Sequence, residues 1–302
     1  MRSRFSPDRQ LTVRMLTVVF LLGLLYTAFV AVLIVLLKSV VLVVLVAGAL
    51  LAAQYWYSDR IALFAMRAHE VTPEQQPQLH GAVDRLCALA DMPRPRVAVA
   101  ETDLPNAFAT GRSPDHAVLC VTTGLLRRLE PEELDGVLAH ELSHVAHRDV
   151  AVITIASFLG VLAGLVARVA FYSGLFGGRG RRTNQNTALI LAAVMAVSIA
   201  VYTISFLLIR TLSRYRELAA DRSAAQLTGR PSALASALVK VSGEIGAIPS
   251  RDLRTAQSFN AFFFAPARGR GRNLGDLFST HPSLEKRLEA LARIGADLNQ
   301  PS

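Results

Sequence analysis

Four long apolar runs alternate with mixed, charged stretches along the 302 residues of the chain. The first two runs cover about residues 15–37 and 40–53, and the last two cover about residues 150–176 and 187–209. A helix needs about 20 predominantly apolar residues to cross a bilayer. The pattern therefore predicts two transmembrane hairpins, in residues 15–57 and 150–209, with about four transmembrane helices.

Positive charges predict the orientation of these spans. Four arginines precede the first run, whereas Lys38 alone lies in the first turn, and Arg210, Arg214 and Arg216 follow the fourth run. Cytoplasmic segments carry an excess of Lys and Arg. We therefore predict a basic cytoplasmic N-terminus in residues 1–14, although the arginines at 179–182 oppose this orientation.

The two mixed stretches, residues 58–149 and 210–302, have the periodicities of one cytoplasmic catalytic domain divided by the second hairpin. Helical spacing occurs at 77–90, 131–147, 213–228, 232–245 and 283–294. Segments 96–100 and 116–122 are typical of β-strands, and the segment containing Pro105 is typical of an edge strand. An edge strand can pair with an extended peptide, or it can be purely structural. The predicted fold class is α+β, mainly helical with a small β-sheet.

Composition agrees with a membrane protein. The chain is 52% hydrophobic and 18% charged, with a formal charge of +9. Soluble proteins usually carry about 25% charged residues, so we expect the lipid bilayer as a partner and no nucleic acid. Cys87 and Cys120 have apolar neighbours and are expected to be small core residues in a reducing compartment.

The strongest chemical signal is the motif His140-Glu141-x-x-His144. It lies in a segment with helical spacing that begins with the acidic, proline-containing residues 130–133, which are typical of a helix start. Residues four apart share one face of a helix, so both imidazoles can reach one metal ion. This arrangement is typical of zinc metallopeptidases, in which the glutamate is the general base.

A catalytic zinc ion usually has three protein ligands, so one more is needed. His147 shares the same helical face, but it would lie about 10 Å from His140 along the axis, too far to share the ion. Glu217 and Asp221 are one turn apart on a later predicted helix. Glu217 could bind the ion while Asp221 accepts an N–H from a ligand histidine. Two membrane crossings between His144 and Glu217 would return the chain to the same side.

Together these features make the chain resemble the HtpX-like membrane zinc metalloproteases, relatives of the prenyl-protein endopeptidases that process CAAX proteins. The resemblance covers most of the chain, including the paired N-terminal spans. Its motifs are Asn106-Ala107-Phe108-Ala109-Thr110-Gly111, His140-Glu141-x-x-His144 with Arg148-Asp149, Ser213-Arg214-x-x-Glu217-x-x-Ala220-Asp221, and Ser279-Thr280-His281-Pro282-x-Leu284-x-x-Arg287. The Gly/Arg segment at 267–273 is not part of this pattern.

The resemblance implies roles for several residues. Glu217 is expected to be the third ligand of one Zn²⁺ per chain, beside His140 and His144. His281 and Arg287 are expected near the cleft, where they would stabilise the oxyanion or hold the substrate carbonyl. The substrate backbone is expected to be held by the segment Asn106, Ala107 and Phe108.

These features predict a multi-pass zinc endopeptidase of a bacterial-type cytoplasmic (inner) membrane, with polypeptide substrates that are membrane proteins or membrane-associated proteins. The resemblance favours protein quality control under stress. Two alternatives stay open. One is a dedicated processing protease with a single substrate, and the other is a catalytically silent membrane scaffold or adaptor, which would have no use for Glu141 as a general base.

Overall fold

Helices make up most of the regular structure, and a small mixed sheet makes up the rest. The structure, a computed structural model, describes residues 9–36, 45, 48–49, 52–53, 55–149, 163–164, 185–247 and 282–298. Most of the predicted spans 40–53 and 150–176, together with Arg168 and the segment 267–273, lie outside the described residues. The predicted α+β class with a small sheet is confirmed for the described part of the chain.

The order of the elements places all four strands of the described residues before the helix that carries the H-E-x-x-H motif. The helices are α1 (Arg9–Leu36), α2 (Ser58–Ala65), α3 (Pro77–Ala90), α4 (Thr123–Leu126), α5 (Pro131–Ala146), α6 (Gln185–Thr228), α7 (Pro231–Ala247) and α8 (Leu284–Leu298). The strands are β1 (Ala68–Glu70), β2 (Arg96–Ala100), β3 (Ala107–Thr110) and β4 (Val118–Thr122). A 3₁₀ turn at Pro114–His116 precedes β4, so this strand begins later than the predicted residue 116.

The chain divides into two compact units. One consists of Met1–Leu11, Trp56–Ala151 and Ser213–Ser302, and the other consists of Thr12–Tyr55 and Val152–Leu212. In the second unit α1 packs on α6 through Leu22, Tyr26 and Leu212. Within the described residues, one helix, Ala192–Thr228, is long and apolar enough to cross a membrane, and Leu16–Phe29 is a shorter apolar helix. The helix predicted at 213–228 is therefore the end of a longer helix.

The sheet has the strand order β1-β2-β4-β3. Strands β2 and β4 are parallel, and the other two pairs are antiparallel. The register places Ala107 opposite Val121 and Ala109 opposite Leu119. Strand β3 is thus an edge of the sheet that the described residues form, as predicted for the segment around Pro105. Strand β1 has only three residues, too few for an alternating pattern to predict it.

Alternation along the strands places apolar side chains on both faces of the sheet. The main core joins α3, α5 and α7 to one face, through Val97, Val99, Leu119 and Val121. The other face contains Phe108 and packs against Ala62 of α2. Cys87 and Cys120 are both buried, free thiols, as predicted for small core residues.

Helix α5 is fixed at its N-terminal end by a capping box. The Glu130 side chain accepts a backbone N–H of the first turn, and the Glu133 side chain accepts the N–H of Glu130 at 2.9 Å. Further along, a Cβ on Gly136 would lie 3.2 Å from the Cα of Leu234, so α5 and α7 pack closely there. These contacts fix the axis of α5, and with it the direction in which the motif's side chains project.

Candidate metal centre

Two histidines of α5 and one glutamate of α6 converge on a single point. The Nε2 atoms of His140 and His144 lie 3.2 Å apart. The two carboxylate oxygens of Glu217 lie 3.6 Å from these nitrogens, one facing each ring. The three residues are buried, and one donor atom from each lies within 4.8 Å of the others. The structure therefore brings together the three residues that the sequence predicts as metal ligands.

The spacing of these donors suits a zinc ion. Two ligands that are each about 2.0–2.1 Å from Zn²⁺ at a tetrahedral angle lie about 3.3 Å from one another. The observed separations of 3.2 and 3.6 Å are close to this value. Two imidazoles and one carboxylate are also a donor set that catalytic zinc sites use, with a fourth position left open. The residues present thus fit the ion that the sequence implies.

The other ring nitrogen of His140 faces a carboxylate. Nδ1 of His140 lies 2.9 Å from Oδ1 of Asp221, which is where the sequence analysis expects a residue that orients a ligand histidine. Arg287 donates to both oxygens of Asp221, from Nε at 2.7 Å and Nη2 at 2.6 Å. Its side chain is only 1% exposed, and its Nη1 lies 3.9 Å from Glu217. Arg287 thus lies behind the histidine and contacts its carboxylate partner.

Charge pairing governs the ionisation of Asp221 and His140. Burial opposes ionisation of Asp221, but the Arg287 guanidinium overcomes that effect and holds the pKa of the carboxyl below its usual range. Burial likewise opposes protonation of His140, but Asp221 and Glu217 outweigh it and raise the pKa of the imidazole to about 9. A positive charge between these carboxylates is therefore favourable, as a bound cation requires.

His144 also has a carboxylate on its Nδ1 side. Oδ2 of Asp149 lies 2.7 Å from Nδ1 of His144 and 3.0 Å from Nε of Arg216. Burial opposes ionisation of Asp149, but Arg216 and then His144 hold the pKa of this carboxyl below its usual range. His147 lies at the end of α5, where its Nδ1 is 2.8 Å from the carbonyl oxygen of Ser143.

The side chain of Glu141 extends from α5 to the edge strand β3. It is 5% exposed, and its Oε2 accepts the backbone N–H of Ala109 at 3.1 Å. Burial raises the pKa of its carboxyl, and the two neighbouring imidazoles oppose that shift. A carboxyl whose pKa moves toward neutral pH is suited to taking up and releasing a proton. Glu141 therefore has the placement and the electrostatics of a general base.

The same hydrogen bond shows which backbone groups of β3 face outward. Asn106 exchanges hydrogen bonds with Thr122, beside β4. Neighbouring residues of a strand point their backbone groups in opposite directions, so those of Ala107 and Ala109 face the open edge. The side chain of Phe108 lies in the core on the other face of the sheet.

A small open cleft adjoins the metal centre. It is lined by Thr110 at the end of β3, by His144, and by Arg112 and Arg148. An extended chain paired with β3 would run toward this cleft. His281 lies outside the described residues, so its predicted place near the cleft stays a prediction.

Comparison with known proteins identifies the arrangement. A family model described as "Peptidase family M48" matches residues 73–294, a range that contains all three ligand candidates and Glu141. The chain belongs to peptidase family M48. It is accordingly a metalloprotease, a hydrolase that cleaves peptide bonds.

Relatives match over the full length of the chain. "Protease HtpX homolog 1" of Streptomyces coelicolor is 68% identical over 300 residues, which cover 99% of this chain and 98% of that protein. "Protease HtpX homolog" of Moorella thermoacetica is 49% identical, with 99% of each chain covered. "Protease HtpX homolog 2" of Methanosarcina acetivorans is 48% identical, covering 99% of this chain and 100% of that one. The predicted resemblance to the HtpX-like proteases is confirmed.

A solved structure shares the fold. The crystal structure of S. mikatae Ste24p aligns with a TM-score of 0.55 and 17% identity, and the alignment covers 93% of this chain. This M48 chain spans 65% of the Ste24p chain, slightly less than two thirds. At this identity the likeness concerns the fold alone.

Three groups at the site have no role in the sequence analysis. They are Asp149, Arg216 and the backbone N–H of Ala109. A signal for Asp149 exists, since it belongs to the Arg148-Asp149 pair in the motifs of the resemblance, but no spacing identifies its partner. Nothing in the spacing of Arg216 indicates its partner, because the ion pair joins residues 67 positions apart, at 149 and 216.

Proposed function

We propose that this M48 protease is a zinc endopeptidase embedded in the cytoplasmic membrane, where it cleaves membrane or membrane-associated proteins as part of protein quality control. The observation that carries the proposal is the triangle of His140, His144 and Glu217, which has the dimensions of a zinc site. Glu141 lies beside this triangle as a buried carboxylate. The HtpX names of the full-length relatives support the assignment to quality control.

Different residues carry out the proton transfer and the substrate binding of the proposed reaction. When bound, the ion supplies Lewis-acid activation of water and of the scissile carbonyl. Glu141 accepts the proton of the attacking water and passes it to the leaving amine. The open edge of β3 binds the substrate as an added strand, through the backbone groups of Ala107 in the predicted segment Asn106, Ala107 and Phe108 and through the carbonyl of Ala109, whose N–H is bonded to Glu141.

We propose supporting roles for three further residues. Asp221 accepts Nδ1–H of His140, which leaves Nε2 free to bind the ion. Arg287, buried and bonded to both oxygens of Asp221, acts through that carboxylate as a positioning residue. For His281 the proposed role is the one that the resemblance implies, a donor to the oxyanion or to the substrate carbonyl.

The membrane assignment combines sequence and structure. Helix α6 contains an apolar portion long enough to span a bilayer and ends with the turns that carry Glu217 and Asp221. We propose two hairpins, in residues 15–57 and 150–209, with the flanking stretches in the cytoplasm. This arrangement keeps the proposed zinc ligands on one side of the bilayer and near its surface.

Metal content tests the proposal directly. The full chain, wild type and Glu217→Ala, is purified in detergent, and zinc is measured by elemental analysis together with cleavage of a membrane-protein substrate. We expect about one zinc per wild-type chain, chelator-sensitive cleavage, and loss of both in Glu217→Ala. Glu289→Ala is a matched control, because Glu289 is an exposed glutamate of α8 whose side chain is 67% exposed.

The rival functions predict different outcomes. Normal zinc content in Glu217→Ala would rule out Glu217 as a ligand. Chelator-insensitive cleavage would exclude the zinc mechanism, and absence of any cleavage by the zinc-loaded wild type would favour the scaffold. Proteomics of cells that carry Glu141→Gln separates the two protease functions, since quality control predicts many accumulated membrane proteins and dedicated processing predicts one.

A further inference from the structure

The chain leaves the helical conformation immediately after α5. The helix ends at Ala146, and Arg148 follows with a φ of 55°, in the left-handed region. This conformation is unfavourable for a residue with a Cβ and persists where surrounding contacts hold it. In this turn the next residue, Asp149, lies against the preceding helix, with its Oδ2 2.7 Å from Nδ1 of His144.

Asp149 is paired with a cation from a distant part of the chain. Nε of Arg216 lies 3.0 Å from Oδ2 of Asp149, the same oxygen that faces His144. Asp149 is 2% exposed and Arg216 is 6% exposed. A buried carboxylate without a compensating cation is strongly unfavourable, so the guanidinium of Arg216 compensates the charge of Asp149 beside His144. Arg216 also directly precedes Glu217 on α6.

The arrangement around His144 matches the one around His140. Each imidazole has a carboxylate on Nδ1, and each carboxylate has an arginine. The four supporting residues come from three segments, namely the turn after α5, helix α6 and helix α8, so the match does not follow from a local repeat. They are Asp221 and Arg287 for His140, and Asp149 and Arg216 for His144.

We propose that Asp149 and Arg216 form a positioning pair that keeps the His144 proton on Nδ1 and directs the Nε2 lone pair at the cation. The proposal rests on the proposed metal site. A carboxylate on Nδ1–H fixes the tautomer and orientation of a ligand histidine and makes it a stronger donor. Since Arg216 and Glu217 are neighbours, the pair also fixes the end of α5 relative to the carboxylate ligand.

Metal affinity of the full chain tests the pair. Zinc dissociation constants are measured by competition with a chromophoric chelator, and ligand geometry is followed by the visible absorption of the Co²⁺-substituted protein. Loss of such a partner typically weakens metal binding about 10–100-fold. We expect a loss of that size and an altered Co²⁺ spectrum in Asp149→Asn and Arg216→Gln, and a smaller loss in Arg216→Lys, which keeps the charge.

A matched control lies on α5, the helix that carries His144. Asp135 of α5, five residues before His140, forms a partly exposed ion pair with Arg85 at 2.6 Å that includes no proposed ligand. Asp135→Asn removes an aspartate–arginine pair without touching a ligand, so its zinc affinity should stay within about twofold of the wild type. Equal affinities for Asp149→Asn and the wild type would overturn the proposal.

A double variant separates positioning from charge balance. Asp149→Leu with Arg216→Met replaces the buried ion pair by apolar side chains, which proteins often tolerate well. We expect this variant to unfold near the wild-type temperature while its zinc affinity stays about 10–100-fold weaker. If the double variant regains wild-type affinity, the pair serves only to balance charge and the proposal is wrong.

The metal-site proposal can fail separately. His144→Ala removes the proposed ligand itself and should abolish stoichiometric zinc binding. If His144→Ala still binds zinc like the wild type, the proposed metal site is wrong. If zinc is lost in His144→Ala but unchanged in Asp149→Asn, only the positioning pair is wrong.

Discussion

Helix α5 buries two glutamates, one in its first turn and one in its second half. The electrostatic surroundings of the two side chains differ. Glu133, in the first turn, is 6% exposed, and Glu141, eight residues later, is 5% exposed. Glu133 accepts hydrogen bonds from Ser236 at 2.6 Å and from Lys240 at 2.8 Å, as well as from a backbone N–H. Glu141 accepts a hydrogen bond from a backbone N–H, that of Ala109, at 3.1 Å.

Because their partners differ, the pKa values of Glu133 and Glu141 shift in opposite directions. Burial opposes ionisation of Glu133, but Lys240 and Ser236 outweigh it and lower the pKa of this carboxyl. At Glu141 burial dominates and raises the pKa. A carboxylate held by a cation contributes to stability, whereas one left near two imidazoles can exchange a proton. The same residue type, on one helix and at similar burial, therefore serves two purposes.

The largest expected effect is on turnover in Glu141→Gln. The amide cannot accept the proton of the attacking water, so kcat should fall about 10²–10⁴-fold. Thermal unfolding should not shift downward, because the variant removes a carboxyl that burial disfavours. Cleavage rate and unfolding temperature are measured on the same preparation, and zinc content serves as the control. Turnover within threefold of the wild type would contradict the general-base role.

Glu133→Gln should show the reverse pattern. Removing the charge weakens the bonds to Lys240 and Ser236, and hydrogen bonds to charged groups contribute about 1.5–3 kcal/mol. We expect a free energy of unfolding lower by about 1–2 kcal/mol at pH 7, because Lys240 is partly exposed, with kcat per zinc-loaded chain unchanged. A fall in kcat comparable to that of Glu141→Gln would contradict the purely structural role of Glu133.

The destabilisation by Glu133→Gln should depend on pH. The pKa of Glu133 is lower in the folded chain than its ordinary value of 4.5, so its contribution is fully present above about pH 4.5. It is lost as the pH falls through the folded-state pKa. We therefore expect the difference in unfolding temperature between the two proteins to be constant from pH 6 to 7 and to shrink below pH 4.5. A difference that grows on acidification would contradict this electrostatic account.

The smallest expected effect is that of Ser236→Ala. This variant removes one hydroxyl donor from Glu133 and leaves Lys240 in place. We expect a loss of about 0.5–1.5 kcal/mol in the free energy of unfolding, the usual net contribution of one hydrogen bond. Combining Ser236→Ala with Glu133→Gln should add less than the sum of the two losses, since the residues share one contact. Full additivity would show that they act independently.

Local patterns were sufficient to predict α5 and the residues it presents. The spacing of His140 and His144, the acidic start with Pro131, and the apolar periodicity all lie within one continuous segment. Such information is local, because helix geometry converts sequence distance directly into position on a face. The edge strand near Pro105 was predictable for the same reason, from the backbone limits of proline.

The partners across the fold were not predictable in this way. Glu217 and Asp221 were candidates by their spacing, but only packing of α6 beside α5 brings Glu217 within 3.6 Å of both imidazoles. No local pattern in the sequence indicates the partners of Arg287, Asp149 and Arg216. Their pairing depends on which buried charges meet in the folded chain.

The class of chemistry follows from the amino-acid sequence alone, because the residue types and their helical spacing suffice for a two-histidine metal motif with an adjacent base. The sequence also indicates an α+β, mainly helical chain with long apolar runs. The folded chain is needed to see which carboxylate contacts which histidine and why Glu133 and Glu141 differ. A charge in a protein interior responds to its nearest partners in space, and these partners come from remote positions in the sequence.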